Sequence, residues 1–372
     1  MTLTVAQLLP ALEQGGVERG TLEVARELVR RGHRAIVISA GGRLVPELER
    51  AGAQHVALAI GRKSPLVLGQ IGPLRDLFES ARVDIVHARS RLPAWIGLLA
   101  VRGMGTHPPH FVTTVHGPYG VNGYSGVMAR GERVIAISDF IRDYVLKNYP
   151  HAEPSRVRVI HRGVSAADFP RGYRPGHAWL ERWRAEFPAL RDQVLITLPG
   201  RITRWKGQAD FIRLVGLLRE RGAAIHGLIA GGAEPRREGF LRELRERIAA
   251  AGLGSAMTIT GVRDDLREIL AASRVVLSLA GEPEAFGRTA LEALSLGVPV
   301  VAYDHGGMRE VLKAIFPEGL VPPGDIVAAA GRVQQFLAAP PAVTAANPFT
   351  LERMLDETLA VYLELAGQSR KS

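Results

Sequence analysis

Two glutamates eight residues apart, Glu284 and Glu292, are the strongest candidates for chemistry in this chain. Glu284 lies in the loop GEPEAFG, and Glu292 lies in the helix that is predicted to follow. Carboxylates accept hydrogen bonds from hydroxyls, such as those of a sugar or a ribose. Backbone amides at the helix start, around Phe286, Gly287 and Arg288, suit an anion such as phosphate. Together these groups indicate a nucleotide-sugar as the ligand.

The elements around these glutamates support that interpretation. Residues 274–280 form a short apolar run that is typical of a buried parallel strand, and residues 289–296 predict a helix that Gly297 ends. Glu284 therefore follows the carboxyl end of a strand, where open α/β sheets place ligand groups. Spacing alone is weak support, because two glutamates at this distance are common in helical proteins.

The whole string from Glu284 through the VPVVA segment that ends at Ala302 resembles the signature of retaining glycosyltransferases of family 4. The resemblance implies the GT-B fold, in which two Rossmann-like, doubly wound domains with parallel sheets face each other across an interdomain cleft. It also implies that Glu284 lies near the donor sugar and its phosphate, and that Glu292 binds the ribose hydroxyls. Phe286, Gly287 and Arg288 would complete the donor site.

A second cluster, LPGRITRWKG, carries Arg201 and Lys206 on the loop after a predicted strand. A forked guanidinium and a mobile ammonium suit two adjacent phosphates. Glycosyl transfer develops negative charge on a diphosphate leaving group, so fixed cations stabilise its transition state. The spacing is similar to the GR...KG pattern of the same family. Arg201 and Lys206 are therefore predicted as leaving-group cations, although exposed basic loop residues often have no function.

The first strand is followed by a loop with Gly15 and Gly16 and then by an amphipathic helix, which allows close approach to a phosphate. A dinucleotide fold would need GxGxxG and an acidic residue after the second strand, and both are missing. NAD binding is therefore disfavoured. By the resemblance, Gly16 contacts the donor. Glu18 either contacts the acceptor or caps the helix.

Three further residues follow predicted strands. His116 stands in TTVHGPYG, where the resemblance places a histidine near the transferred sugar, and we assign it to orienting the substrate. Tyr119 on the same loop is a candidate for stacking on an acceptor sugar, although packing explains it equally. Arg263 lies where the family's loop reaches the base and ribose, and the alternative is an ion pair with Asp264 or Asp265.

Apolar runs and helical patterns alternate along the chain, which predicts parallel sheets covered on both faces. Pro and Gly residues interrupt the alternation between the two halves. We predict an acceptor-binding domain over residues 1–170, a linker over 171–190 and a nucleotide-sugar-binding domain over 191–345. The resemblance implies that an amphipathic helix over about 351–368 packs back on the first domain. The glycines after His305 are expected to reflect loop geometry.

The net charge of +10 is concentrated in the first half. Residues 1–174 hold 23 Lys and Arg against 14 Asp and Glu, whereas the remaining residues hold 24 against 23. Such a basic surface favours an acidic glycan, a phosphorylated or lipid-linked acceptor, or an anionic membrane. The candidate contacts are Arg62, Lys63, Arg89 and Arg91, beside Trp95. No nucleic-acid-binding motif is present, so nucleic acid is disfavoured as a partner.

Several classes of protein are excluded or disfavoured by composition. The chain has no cysteine, which excludes disulfides and thiolate chemistry. No apolar run approaches the roughly 20 residues of a membrane helix, and no signal peptide is expected. We therefore expect a cytoplasmic protein that is either free or peripheral on the inner membrane face. No metal site is expected, because neither a DxD motif at a strand end nor a His and carboxylate cluster of ligand spacing is found.

The resemblance thus implies transfer of a sugar, with retention, from a nucleotide-diphosphate-sugar to a hydroxyl of a glycan or lipid-linked glycan, as in lipopolysaccharide or other surface polysaccharide biosynthesis. UDP and GDP are the expected nucleotides, and no cofactor or metal is expected. Three alternatives remain open. They are a sugar-nucleotide epimerase or a phosphorylase on the same fold, a catalytically silent scaffold, and a nucleic-acid binder.

Overall fold

The computed structural model describes residues 2–13, 15–105 and 107–368. They form two units with one parallel sheet each, which confirms the predicted pair of doubly wound domains. The first unit comprises the described residues up to Arg162 and from Glu352 onward, and the second comprises Gly163–Leu351. Within the described residues, no helix is long and apolar enough to cross a membrane.

The first unit contains a seven-stranded parallel sheet in the order β3-β2-β1-β4-β5-β6-β7. Its strands are β1 (Thr4–Leu8), β2 (Arg34–Ser39), β3 (Gln54–Ala57), β4 (Ile85–Ala88), β5 (His110–Val115), β6 (Arg133–Ala136) and β7 (Val157–Val159). Its helices are α1 (Gly16–Arg30), α2 (Val45–Arg50), α3 (Ile71–Ser80), α4 (Arg91–Arg102) and α5 (Asp139–Asn148), with 3₁₀ turns at Pro65–Gln70, Ser125–Ala129 and Pro154–Arg156. The central strands are buried along their whole length, as expected of strands with helices on both faces.

The second unit contains a six-stranded parallel sheet in the order β10-β9-β8-β11-β12-β13. Its strands are β8 (Leu195–Pro199), β9 (His226–Ala230), β10 (Met257–Ile259), β11 (Val275–Ser278), β12 (Val300–Tyr303) and β13 (Leu320–Val321). Its helices are α6 (His177–Glu186), α7 (Gln208–Glu220), α8 (Glu238–Ala250), α9 (Leu266–Ala272), α10 (Arg288–Leu296), α11 (Gly306–Ile315) and α12 (Ile326–Ala338), with 3₁₀ turns at Pro188–Leu190, Pro235–Arg237 and Pro317–Gly319.

The last helix, α13 (Leu351–Gln368), lies in the first unit apart from its first residue. Tyr362 on this helix is fully buried, and its hydroxyl lies 2.6 Å from His87 Nδ1 on β4. The far ring nitrogen of His87 lies 2.6 Å from Thr114 Oγ1 on β5. A polar bridge through the core thus joins α13 to the sheet.

The segment 171–190, predicted as a linker, belongs to the second unit instead. Trp179 and Trp183 on α6 are buried and stacked, with ring centroids 5.1 Å apart, and they pack in a cluster with Leu195 of β8. Trp179 Nε1 donates a hydrogen bond to Asp265 Oδ2 at 2.8 Å. The Pro and Gly residues around α6 indicated a break, but the two tryptophans bury enough apolar surface to hold the helix on the sheet.

In each sheet, the strand order reverses between two central strands. The reversal lies between β1 and β4 in the first sheet and between β8 and β11 in the second. Loops that leave such a pair at the carboxyl ends of the strands diverge to opposite faces and open a crevice that binds ligands. The candidate residues of each unit are therefore expected at these two positions.

Candidate functional site

Lys206 and Glu284 meet at the reversal point of the second sheet. Lys206 lies on the loop after β8, Glu284 lies on the loop after β11, and Lys206 Nζ is 2.8 Å from Glu284 Oε1. Ser278 Oγ, at the end of β11, donates to the same carboxylate oxygen at 3.3 Å. The side chains of Lys206 and Glu284 are 21% and 13% exposed, so the pair is sheltered but reachable by a ligand.

Gly207 fixes the Lys206 loop against the neighbouring strand. It adopts a left-handed conformation with φ +79°, and a Cβ here would lie 1.9 Å from the carbonyl oxygen of Leu279. Only glycine avoids both the strain and the overlap. The close approach of this loop to the end of β11 places Lys206 on the Glu284 carboxylate.

Two glycines at the start of α11 hold the Glu284 loop from its other side. Gly307 N donates to the carbonyl oxygen of Glu284 at 2.8 Å, and a Cβ on Gly307 would come within 2.4 Å of the Ala285 oxygen. A Cβ on Gly306 would lie 2.6 Å from the Glu284 oxygen. The geometry of this turn accounts for both glycines, and it also positions the loop that carries Glu284.

Glu292 is buried on α10, and its Oε1 accepts a hydrogen bond from Arg288 Nε at 3.1 Å, one turn earlier. Gly287 precedes the helix with φ +96°. Phe286 contributes its ring to the core, edge-on to Phe349 with centroids 5.5 Å apart, so only its backbone is available to a ligand. First-turn amides have no intrahelical acceptor, which suits α10 to an anion.

The other two predicted cations of the second unit differ in their surroundings. Arg201 is 70% exposed and donates to Glu234 Oε1 at 3.2 Å, so it is free to swing toward a ligand. Arg263 instead makes a bidentate ion pair with Asp265, both bonds being 2.8 Å, and also donates to Glu186 at 2.5 Å. These hydrogen bonds raise the pKa of Arg263. The ion-pair alternative therefore describes Arg263, which ties α6 to the rest of the second unit.

His116 leaves the end of β5 in the first unit, and its backbone N–H donates to the Tyr119 hydroxyl at 3.3 Å. Its Nδ1 lies 2.8 Å from Arg162 Nη2. Its Nε2 is buried, and no hydrogen-bond partner for it exists among the described residues. Burial and the nearby cations Arg162 and Arg89 lower the pKa of His116 well below its ordinary value. The imidazole is thus neutral at pH 7.

Arg91 and Tyr119 form a small aromatic and cationic cluster at the start of α4. The Arg91 guanidinium lies 5.0 Å from the Tyr119 ring centroid and 5.4 Å from that of Tyr124. It also donates to Ser125 Oγ at 3.3 Å. Such a planar, polar surface suits the ring face and hydroxyls of a sugar.

Arg89, which was predicted as an acceptor contact, is a core residue instead. It is 2% exposed, and its Nε donates to Gln7 Oε1 on β1 at 2.8 Å. The charge pattern around Trp95 suggested a surface position, but Arg89 directly follows the buried strand β4 and interacts with the buried Tyr362 of α13. The charge of Arg89 helps to lower the pKa of His116 and of His87.

Gly16 and Glu18 lie at the start of α1, after β1. Gly16 is exposed and has open space beside its Cα. The Glu18 carboxylate folds back toward Gly15, three residues earlier, so that a Cβ on Gly15 would lie 2.4 Å from Glu18 Oε2. Glu18 thus lies in the first turn of α1, and its two predicted roles, helix cap and acceptor contact, both stay predictions.

Arg162 is the residue of this region that the sequence analysis missed. It follows β7 in the segment HRGV, and a strand end was a usable signal. Its contact with His116, 46 residues earlier in the chain, had no local pattern to reveal it.

Two families match consecutive parts of the chain. The family described as Glycosyltransferase Family 4 matches residues 14–168, and the family described as Glycosyl transferases group 1 matches residues 181–348. A glycosyltransferase from Rickettsia africae is 30% identical in sequence, has a TM-score of 0.85 and is matched over 98% of each chain. HepE from Anabaena, solved with UDP and glucose, has a TM-score of 0.80 at 19% identity over 96% of this chain and 99% of its own, and it shows the fold alone.

Curated relatives match at comparable identity, two of the three over shorter parts of the chain. D-inositol 3-phosphate glycosyltransferase 1 of Catenulispora acidiphila is 26% identical over 94% of this chain and 91% of its own. The 2-deoxystreptamine N-acetyl-D-glucosaminyltransferase of Streptomyces fradiae is 32% identical over 35% of this chain and 30% of its own. The alpha-maltose-1-phosphate synthase of Mycolicibacterium smegmatis is 31% identical over 49% and 46%. The last two matches thus span less than half of each relative.

Proposed function

Because this chain belongs to the group 1 glycosyltransferases, we propose that it transfers a glycosyl unit from a nucleotide-diphosphate-sugar to an acceptor hydroxyl. The second unit holds the donor and the first unit holds the acceptor. The donor nucleotide is UDP or GDP, and the anomeric configuration of the sugar is retained.

The observation that carries this proposal is the Lys206–Glu284 pair at the reversal of the second sheet. A donor diphosphate brings negative charge that attracts Lys206, while the sugar brings hydroxyls that donate to Glu284. Arg201 on the same loop swings in from its exposed position as a second cation. Glu292 accepts hydrogen bonds from the ribose hydroxyls, and the backbone N–H groups in the first turn of α10 donate to a phosphate oxygen.

Lys206 and Arg201 provide most of the catalysis of the transfer. The bond between the sugar C1 and the phosphate oxygen breaks, and the acceptor oxygen forms a new bond to C1 on the same face. The acceptor proton passes to the departing phosphate, so no carboxylate nucleophile is needed. Lys206 and Arg201 stabilise the charge that builds on the diphosphate, in the role that a divalent ion plays elsewhere.

The first unit offers the acceptor a surface with both polar and apolar parts. Arg91 stacks on Tyr119 and Tyr124, and Arg130 lies 5.6 Å from the ring centroid of Trp95 on α4. Leu66 on the preceding 3₁₀ turn is 75% exposed. Aromatic rings beside cations and an exposed leucine suit an amphipathic acceptor, such as a phosphorylated or lipid-linked glycan of a surface polysaccharide.

This surface also supports a peripheral position on an anionic membrane, because Arg62 and Lys63 lie exposed just before Leu66. Cosedimentation with vesicles of 30% phosphatidylglycerol, compared with neutral vesicles, tests it. Binding that needs the anionic lipid and is lost in Arg62→Ala/Lys63→Ala supports the membrane position. Equal binding to both vesicle types, or none, rejects it and leaves the transferase activity untouched.

The transfer itself is tested by release of the free nucleotide from UDP-, GDP-, ADP- and CMP-sugars, with and without a candidate acceptor. Release that rises with the acceptor and yields a glycosylated product of the same anomeric configuration supports the proposal. Conversion of the donor into an epimer, or release that requires inorganic phosphate, identifies the epimerase or phosphorylase alternative. A chain that binds a donor without turnover is the silent scaffold.

A further inference from the structure

The environment of His116 assigns its proton to one nitrogen. A guanidinium remains charged at all accessible pH values and has no acceptor, so Arg162 Nη2 must donate across its 2.8 Å contact with His116 Nδ1. Nδ1 therefore carries a lone pair. A neutral imidazole with a lone pair on Nδ1 has its proton on Nε2.

We propose that Arg162 is a positioning residue that holds His116 as the neutral Nε2–H tautomer, so that His116 donates a hydrogen bond to a substrate oxygen and does not act as a base. The buried Nε2, without an acceptor among the described residues, is the donor that waits for the substrate. The hydrogen bond from His116 to the substrate rests on the proposed glycosyl transfer, whereas the tautomer of His116 does not.

Arg162 is held firmly enough to impose this state. It is buried, and its Nη1 lies 3.8 Å from Met354 Sδ on α13. Gly20 on α1 leaves the space that the guanidinium occupies, because a Cβ on Gly20 would come within 2.4 Å of Arg162 Nη1. A glycine inside a helix costs about 1 kcal/mol relative to alanine. The space that Arg162 needs explains why a glycine stands at position 20 of α1.

The charges around His116 act in the same direction. The groups that face it are Arg162 after β7, Arg89 and His87 on or after β4, and Tyr119 on its own loop. Burial is the largest cause of the low pKa of His116, and the two arginines add to it. His87 is itself buried and neutral, because burial and Arg89 lower its pKa. No group in this set favours an imidazolium.

The tautomer is measured by two-bond proton–nitrogen NMR spectra of the full-length, unliganded protein labelled with ¹⁵N-histidine. The His116 signal is assigned from its loss in His116→Gln. The expected spectrum shows a protonated Nε2 and an unprotonated Nδ1, with no change between pH 7.5 and 5.5. A protonated Nδ1 at neutral pH, or an imidazolium, overturns the proposal.

Variants at position 162 test the cause. In Arg162→Met, the His116 signals should become those of a mixture of tautomers and should titrate at a higher pH than in the parent protein. Arg162→Lys, which keeps a cationic donor, should restore much of the Nε2–H form. Unchanged His116 signals in Arg162→Met would overturn the proposal.

Gly20→Ala provides a second route in case Arg162→Met does not fold. It displaces the guanidinium while both side chains remain, and it should reproduce the Arg162→Met spectrum. Gly331→Ala is the matched control, because Gly331 lies inside α12 with open space beside its Cα. Signals in Gly20→Ala that match those of Gly331→Ala would contradict the role of Arg162.

The pH profile of kcat/KM distinguishes a positioning role of Arg162 from a purely structural one. Loss of the Arg162 contact should move the acid limb of the kcat/KM profile to higher pH, since His116 then protonates more readily. A lower rate with an unchanged profile indicates a structural effect and overturns the inference. Failure of every nucleotide-sugar to turn over would reject the proposed function, while the NMR result would still decide the tautomer.

Discussion

Lys206 Nζ and Glu284 Oε1 lie 2.8 Å apart although 78 residues separate them in the chain. They meet because β8 and β11 are neighbours in the sheet, and because both loops leave at the carboxyl ends of those strands. The ion pair keeps each group oriented before a donor arrives. On donor binding, the contact between Lys206 and Glu284 would be replaced by two new ones, from Lys206 to the diphosphate and from a sugar hydroxyl to Glu284, with both side chains already in place.

Removal of the Lys206 ammonium should abolish most of the transfer. Lys206→Ala leaves the leaving group without its sheltered cation, and we expect kcat to fall roughly 100- to 1,000-fold. The measurement is nucleotide release at saturating donor. Arg204→Ala is the matched control on the same loop, because Arg204 is exposed and pairs with Glu243. Equal losses in the two variants would contradict the assignment of Lys206.

The turn that holds the Glu284 loop should be as sensitive as the catalytic residues. In Gly307→Ala the new methyl group overlaps the Ala285 oxygen, so the loop must shift. A displacement of about 1 Å at a reacting group costs roughly 100-fold in rate. Gly331→Ala, a helical glycine with open space, should leave kcat/KM unchanged. Full activity in Gly307→Ala would show that the position of Glu284 is not critical.

Arg263 should matter for stability more than for the donor. Arg263→Ala removes charge-assisted hydrogen bonds to Asp265 and Glu186, and we expect a loss of about 2 kcal/mol in the free energy of unfolding. The KM for the donor should stay within twofold. Arg201→Ala, at an exposed cation, should show the opposite pattern of weak stability effects and impaired transfer. A large rise in the donor KM of Arg263→Ala would restore its role as a donor contact.

The protein should lose stability as the pH falls below about 6.5. Burial lowers the pKa of both His87 and His116 in the folded state, so the unfolded chain binds more protons in this range. Their contribution is complete above the unfolded pKa and decreases at lower pH, by about 1.4 kcal/mol per pH unit for each proton. Urea unfolding at pH 7.5 and 5.5 measures it. A midpoint that rises on acidification would contradict the neutral state of these histidines.

The alternation of short apolar runs with helical segments was enough to predict both sheets, because parallel strands that are buried on two faces appear in the sequence as continuous apolar runs between helices. Lys206 and Glu284 were each placed after the carboxyl end of a predicted strand, and the strand order of the sheet brings these two strand ends together. The other candidate site residues of the second unit were predicted from short sequence motifs.

Burial and long-range contacts of polar residues were not predictable in this way. Arg89 was interpreted as a surface cation because its partner, Gln7, is 82 residues away and gives no local signal. The helix with Trp179 and Trp183 was interpreted as a linker because the Pro and Gly residues around it indicate a domain boundary more strongly than its apolar face indicates burial. Arg162 was overlooked because a single arginine after a strand has no periodicity, and only the fold brings it to His116.

The most direct test of the donor site is thermal stabilisation of the purified protein by UDP-, GDP-, ADP- and CMP-sugars without metal, repeated with Glu292→Ala and Lys206→Ala. A donor at 100 times its Kd should stabilise the parent protein by about 2.7 kcal/mol. We expect a thermal shift that is selective for one nucleotide and lost in both variants. A shift that survives in both variants, or no shift with any donor, would contradict the placement of the donor on the loops after β8 and β11.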